Sequence, residues 1–243
     1  MAHFYLVEEL GDTGVGAQVV VTGPEARHAV TVSRVRVGET LRVGNGRGLV
    51  VEGEVLEASG DRLVLEAAEV GHVPAPDRRL VLAQALAKGD RDELAVQAAT
   101  ELGVDEIVPW AAARSISKWE GPKVAKGLAR WSAIVREATK QSVRAWQPRV
   151  GDVATTRQLE SRAGTARVLV LDPTATEALS SVALPDVGDV VVVVGPEGGI
   201  TPHEVDGLVA AGAVAVRLGD SVLRTSTAGP AAIAVLSVRL GRW

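Results

Sequence analysis

The sequence predicts an α/β fold in two parts, a small all-β unit over residues 1–73 and a larger unit over 74–243 built on a parallel sheet. Three observations carry this. Residues 1–73 are short alternating or β-branched runs broken by Gly-containing turns, the texture of a small barrel. Beyond them, Val168 to Leu171 and Val190 to Val194 are short, wholly apolar runs bounded by breakers, as a sheet covered on both faces requires. Between the two textures, Val73-Pro74-Ala75-Pro76-Asp77 places two prolines two apart, which favours an extended connector and marks the boundary.

In the first unit the strand candidates are Phe4 to Val7, Val19 to Thr22, Thr40 to Val43, Leu49 to Leu56 and Arg62 to Val70. Gly44-Asn45-Gly46 and Ser59-Gly60-Asp61 read as turns between them, and a helical insert begins at Pro24, followed by Arg27, His28, Arg34 and Arg36. In the second unit, Leu80 to Leu86 is the first strand. Asp90 with Glu93 three residues on resembles a capping box for a helix ending at Gly103, and Val104 to Pro109 is the next strand. Pro122 opens a long helix whose Val124, Leu128, Trp131 and Val135 recur at three- and four-residue steps, turning one face inward and the Lys and Arg elsewhere. Thr201-Pro202-His203-Glu204 combines a Thr cap, Pro at the first helical position and Glu three after the cap. That helix stops near Gly212, Val214 to Leu218 is a strand, and a last helix spans Ala228 to Leu240.

The composition narrows the function. The chain has 243 residues, 47% hydrophobic and 23% charged, with a net charge of −4, which excludes a uniformly basic polyanion binder. With no Cys, disulfides, thiolate metal sites and Cys nucleophiles are excluded, and His3, His28, His72 and His203 never fall at metal-ligand spacing, so no metal is expected. No apolar run reaches the roughly 18 residues of a membrane span, and MAHFYLVEEL has neither a basic segment nor a small-residue cleavage site, so a cytoplasmic protein is expected. The small net charge hides a gradient. From Arg114 to Arg149 the chain carries nine Lys and Arg against only Glu120 and Glu137, with Trp119, Trp131 and Trp146 interleaved. Such a window suits a phosphate backbone through counterion release, or simply a solvated helix face.

Two elements sit where chemistry is expected in an α/β sheet. Gly195-Pro196-Glu197-Gly198-Gly199 follows a run of five Val and precedes a capped helix, so a ligand at the carboxyl ends of the strands would meet bare backbone there. It is neither a Walker loop nor GxGxxG, and a purely structural turn is the competing reading. Leu218-Gly219-Asp220-Ser221-Val222-Leu223-Arg224-Thr225-Ser226-Thr227 also follows a strand and precedes a helix. Its Thr225, Ser226 and Thr227 are natural caps, while Arg224 adds a guanidinium. Leu171-Asp172-Pro173 is a third strand end, so three loops can converge on one pocket. Gly44 to Gly48 is a hairpin turn, because strand follows it, and His203 decorates the first turn of its helix.

GPEGGIT followed by LGDSVLRTSTA resembles the paired signatures of the ribosomal RNA small subunit methyltransferase E family, which makes 3-methyluridine in 16S ribosomal RNA. Lys88-Gly89-Asp90-Arg91, Gln97 to Gly103, Arg114-Ser115-Ile116, Arg130-Trp131 with Glu137 to Arg144, and His28 with Arg34 are similar to that family's other blocks, in the same order over essentially the whole chain. The resemblance implies an N-terminal PUA-like barrel (1–73) and a C-terminal SPOUT domain (74–243) with a deep trefoil knot, S-adenosylmethionine as methyl donor, and a homodimer that completes the site. It also implies cofactor contacts, largely backbone, at Leu171, Gly195, Pro196, Glu197, Gly198, Gly199, Leu218, Gly219 and Leu223. RNA contacts are expected from His28, Arg34, Arg36, Arg114, Lys118, Arg130 and Arg144, and the small ribosomal subunit is the expected partner. Where the family has Glu in LRTETA this chain has Ser226, so no base is assigned there, although Ser can still cap the last helix.

Uracil N3 is protonated at neutral pH, so its methylation requires a proton acceptor or a cation that stabilises the imide anion. Arg224, with Arg114 and Arg144 as further candidates, suits the second task and Glu197 the first. Two alternatives stay open: a knotted methyltransferase acting on transfer RNA or a ribose hydroxyl, and a non-catalytic RNA-binding protein on an inherited fold. A phosphate-binding α/β enzyme is weakened by the missing Walker Lys.

Overall fold

The computed structural model describes residues 4–243; His3 lies outside them. By contact the chain divides into two units, one comprising the residues up to Ala75 with Thr139–Gln147, the other Pro76–Ala138 with Pro148–Trp243.

The first unit is a five-stranded mixed sheet of β1 (Phe4–Leu6), β2 (Gln18–Thr22), β3 (Thr40–Gly44), β4 (Leu49–Ser59) and β5 (Arg62–His72). Its order is β1-β3-β4-β5-β2, with β1 parallel to β3 and every other pair antiparallel. Alternation aims Val19, Val21, Leu41, Val43, Val51, Val55, Leu63 and Leu65 into one core. Register shifts at Glu52/Gly53 and Val55/Glu57 bend the long β4–β5 ribbon, and bulges of this kind let a sheet curl around such a core. The turn after β3 is stapled by Asn45, whose Oδ1 accepts from the backbone N–H of Arg47 and Leu49, so the hairpin reading holds. The insert begins as expected, with Pro24 in the first turn of α1 (Gly23–Arg27), and continues as a π-helical turn over His28–Val32. The 139–147 segment joins this unit through Gly48 N–H to Ala145 O, Gln147 N–H to Gly46 O, and the Trp146 indole N–H to Val73 O. Domains read as consecutive stretches do not include that return.

The second unit is a six-stranded, wholly parallel sheet in the order β11-β9-β10-β6-β7-β8. The strands are β6 (Leu80–Ala85), β7 (Glu106–Trp110), β8 (Arg149–Val150), β9 (Arg167–Leu171), β10 (Val190–Val194) and β11 (Val214–Val216). Every residue of β6, β7 and β10 is buried, which explains why these runs lack polar alternation. One face, with Leu80, Leu82, Val190, Val192 and Val194, packs against α2 (Arg91–Glu101), α3 (Pro122–Gln141) and α6 (Thr225–Arg239). The other, with Val81, Ala83, Val191 and Val193, packs against α4 (Thr156–Arg162) and α5 (Pro202–Ala210).

Three local expectations are corrected. Asp90 does not form a capping box: it is left-handed, at φ 60°, and makes no cap hydrogen bond. The neighbouring Asp92 carboxylate instead accepts from the N–H of Ala87 and Glu93. The last helix starts at Thr225, three residues earlier than the apolar pattern suggests, with Arg224 as the capping position. Ser226 therefore lies inside its first turn and caps nothing. Helix α4 escapes a search for long amphipathic patterns because it is only seven residues, yet Thr155 and Gln158 form a complete capping box that marks it.

Candidate active site

The carboxyl ends of β11, β9 and β10, neighbours in the sheet, open into one cavity of about 520 Å³. Leu171, Asp172 and Pro173 follow β9, Gly195 to Ile200 follow β10, and Leu218 to Thr225 follow β11. The volume lies within the range of about 300–1,000 Å³ typical of small-molecule sites. Of the expected cofactor residues, Leu171, Gly195, Pro196, Glu197, Gly199, Leu218, Gly219 and Leu223 line it. Gly198 is not on the lining, but its carbonyl is tied to Arg114. The wall is largely backbone and aliphatic, with Val194, Ile200, Val205 and Ala228 completing it.

The glycine loop is shaped by close approach. A Cβ on Gly195 would stand 2.7 Å from Ile200 Cγ1, and Gly199 sits at φ +72°, a conformation that Gly adopts without steric cost. At Gly219, by contrast, a Cβ would meet nothing within 4 Å, so this part of the wall is bare backbone facing open space. A cradle of this kind suits a ligand read through backbone groups.

Four segments fasten that loop. Thr225 Oγ1 donates to Gly195 O at 2.8 Å. The Glu197 Oε1 accepts from the Lys88 backbone N–H at 3.1 Å and from Arg91 Nη1 at 3.2 Å, while Oε2 has no partner among the described residues. Arg114 Nη1 donates to Gly198 O at 2.9 Å. Thr201 caps α5 immediately after the loop, its hydroxyl accepting from the Glu204 N–H.

Glu204 is the anchor behind this arrangement. Only 5% exposed, it accepts from Ala113 N–H and Thr156 Oγ1 on one oxygen and from Thr201 N–H and Oγ1 on the other. Burial pushes its carboxyl up, but the hydrogen bonds from Ala113, Thr201 and Thr156 together outweigh burial and hold it below the usual carboxylate range. The bond to Ala113 fixes the backbone beside Arg114. The opposite case is Asp92, where burial wins over the bonds from Ala87 and Glu93 and the carboxyl is raised. Sequence reading recognised Glu204 only as a capping residue. Its partners at 113 and 156 are brought to it by the fold.

Arg224 lines the cavity, is exposed, and its guanidinium has no hydrogen-bond or ion-pair partner among the described residues. It is the cation in the lining that the protein leaves uncommitted, since Arg91 is paired with Glu197. Arg114, expected among the RNA contacts and as a further candidate for stabilising the imide anion, donates to the glycine loop at Gly198 O. Lys118 is exposed and has no ion-pair partner among the described residues, whereas Arg130 grips Glu93 with Nε and Nη2 at 2.8–3.1 Å. His28, Arg34 and Arg36 are exposed in the first unit. His28 meets the Tyr5 ring edge to face at 6.2 Å, and Arg34 holds a left-handed φ of 57°. Arg144 is half-buried in the 139–147 return. Lys140 of the same basic window is paired with Glu25 at 3.2 Å, so that window is not a uniformly solvated stripe. Among the described residues, no cluster of His, Asp and Glu is arranged to hold a metal, and no helix is long and apolar enough to cross a membrane.

A mixed sheet in one unit, and in the other a parallel α/β sheet with a backbone-lined cavity at its strand ends, define the class, and family models agree with it. The model described as an RNA methyltransferase domain matches residues 74–237, and that of an RNA methyltransferase PUA domain matches residues 21–67. More specifically, the chain belongs to the ribosomal RNA small subunit methyltransferase E family. The Mycobacterium tuberculosis member is 44% identical over 100% of this chain and 94% of its own length. The Bacillus subtilis member is 34% identical over 89% of this chain and 88% of its own. Among solved structures, the ribosomal RNA small subunit methyltransferase E of Neisseria gonorrhoeae bound to S-adenosyl methionine superposes with a TM-score of 0.87 at 30% identity, covering 98% of both chains. A putative methyltransferase of Legionella pneumophila in complex with the same cofactor gives 0.84 at 26%, again over 98% of each.

Proposed function

We propose that this protein transfers a methyl group from S-adenosylmethionine to N3 of a uridine in 16S ribosomal RNA of the small subunit. The observation that carries the proposal is the convergence of Leu171, the Gly195 to Gly199 loop and the Leu218 to Arg224 loop on one cavity walled by backbone and aliphatic groups. When bound, S-adenosylmethionine supplies an electrophilic methyl carbon on a sulfonium. The bare backbone at Gly195, Gly199 and Gly219 would hold it, and Leu171, Leu218 and Leu223 would cover its apolar surface.

The protein's own task is to align the acceptor nitrogen and manage its proton. Arg224 supplies a guanidinium with no competing protein partner, suited to stabilise negative charge on a uracil carbonyl as N3 loses its proton. Glu197 is the proton acceptor in this reading, with Oε1 fixed by Lys88 and Arg91 and Oε2 open. Ser226 offers no carboxylate, which leaves that role to Glu197. The exposed cations Arg34, Arg36 and Lys118, with His28, Arg114, Arg130 and Arg144, are assigned to flanking RNA, where phosphate contacts make affinity fall with salt. Accessible loop or flipped uridines suit such a site, because a stacked base hides its ring edge. The trefoil knot, a homodimer completing the site, and residence in the cytoplasm belong to the same proposal.

The test is transfer of labelled methyl from S-adenosylmethionine to small ribosomal subunits lacking the modification, with transfer RNA in parallel. Label entering the subunits alone supports the reading. Label in transfer RNA alone overturns it in favour of another knotted methyltransferase.

A further inference from the structure

Gln84 breaks the apolar run of β6, is fully buried, and reaches the N-terminus of α6. Its Nε2 donates to Thr225 Oγ1 at 2.8 Å and to Ala85 O at 3.2 Å. The second of these acceptors is a carbonyl, which has no proton to give, so the amide cannot be turned over without setting oxygen against oxygen. Both amide protons are therefore committed, and Thr225 must accept from Gln84. The only proton left on the Thr225 hydroxyl then goes to Gly195 O, 2.8 Å away. The bonds form a directed chain from the sheet interior, through the first residue of α6, to the first residue of the glycine loop. Its cost is visible: Gln84 Oε1 is buried with no hydrogen-bond partner among the described residues. A lone buried acceptor of this kind is expensive, and a Leu or Met at position 84 would avoid it. Helix α6 approaches closely enough for the chain to form because Gly229 has no side chain. A Cβ there would lie 3.0 Å from Leu82 Cδ1 and 3.4 Å from Gln84 Oε1.

We propose that Gln84 and Thr225 are positioning residues that hold the glycine loop in its binding shape before any ligand arrives, so that cofactor affinity depends on a bond network made largely outside the cavity. This rests on the cofactor reading above, but the loop's order in the free protein does not. Gly195 precedes Pro196, so that peptide has no N–H and its carbonyl is the one group by which it can be held. Next along, Gly199 N–H donates to Pro196 O at 2.9 Å, and its exchange with solvent reports whether the loop is formed.

Thr225→Val removes the hydroxyl at near-constant volume, Thr225→Ser restores it, and Gln84→Met removes the donors. In the cofactor-free protein, exchange of the Gly199 amide is expected to rise about tenfold or more in Thr225→Val and Gln84→Met, the loss of about one buried hydrogen bond. It should return to near the wild-type rate in Thr225→Ser. Titration with S-adenosylmethionine should show Kd raised about tenfold in the first two variants. The double variant should be no weaker than Thr225→Val alone, because both break the same chain. Exchange and Kd within about twofold of wild type in both single variants, or no recovery in Thr225→Ser, would overturn the proposal. A wild-type protein that binds no S-adenosylmethionine overturns the cofactor reading, and with it the link to affinity, while the exchange rates still decide whether the relay orders the loop.

Discussion

Replacing Glu204 by Gln tests the link between a buried anchor and the shape of the site. The carboxylate takes four hydrogen bonds, at 2.8 and 3.0 Å on one oxygen and 3.1 and 2.7 Å on the other. An amide keeps one oxygen and turns the other into a donor. Each oxygen is paired with one backbone N–H and one hydroxyl, and a hydroxyl can turn round to accept from the new NH₂. The backbone N–H cannot. Whichever way the amide points, either Ala113 N–H or Thr201 N–H is stranded. One charge-assisted bond is lost and one buried donor is left without a partner, which together cost about 2–4 kcal/mol. For a folding unit of this size about 3 kcal/mol lowers the midpoint of thermal unfolding by about 6–12 °C. Because the folded carboxyl is held below the range of an unfolded Glu, the wild-type advantage is complete at neutral pH and is lost as pH falls through the folded value. The assay is urea and thermal unfolding of both proteins over a pH series. A difference under about 0.5 kcal/mol at neutral pH, or one that does not shrink on acidification, would refute the argument.

The remaining predictions concern the cavity and two close approaches. Arg224→Ala should abolish most methyl transfer while S-adenosylmethionine still binds by calorimetry, and wild-type turnover would remove Arg224 from the chemistry. Gly219→Val should place a side chain in the open cavity and weaken cofactor binding at least tenfold with little change in unfolding midpoint, since a Cβ there touches no protein atom within 4 Å. Gly127→Ala, normally favourable in a helix by about 1 kcal/mol, should here destabilise, because the new Cβ would lie 2.5 Å from the Trp119 ring. Displacement of Trp119 from its edge-on contact with Trp131, 5.2 Å away, should shift tryptophan emission to the red. Gly53→Ala, at a β4 register shift, would drive its Cβ into the Glu66 carbonyl, so unfolding of the first unit is expected to begin at lower urea.

Much of the fold was legible because burial on both faces leaves a plain signature. The five Val of β10 and the Thr-Pro-His-Glu entry of α5 emerge with the expected bounds or nearly so. Where the pattern misled, local chemistry lost to tertiary geometry. Asp90 and Glu93 have capping-box spacing, yet the chain turns left-handed at Asp90 and hands the capping work to Asp92. Ser and Thr at 225–227 read as caps, but the sheet draws Thr225 into the helix, where it serves Gly195. Of the site, the three loops were legible from their place after strands. The supports were not. Gln84 signals itself only as one polar residue in LVLAQA, and nothing near Glu204 in sequence points to Ala113 or Thr156. The charge window predicted available cations, and Lys118 keeps that character. Arg130 and Lys140 are engaged by Glu93 and Glu25, which lie 37 and 115 residues away in sequence.

The most direct test of the central claim is the identity of the methylated nucleoside. Small subunits lacking the modification, incubated with the purified protein and S-adenosylmethionine, are digested and their nucleosides resolved by mass spectrometry. The account predicts one new product, 3-methyluridine, mostly lost in Arg224→Ala. A methyl group on a ribose hydroxyl, on another base or on another ring position of uracil would contradict it.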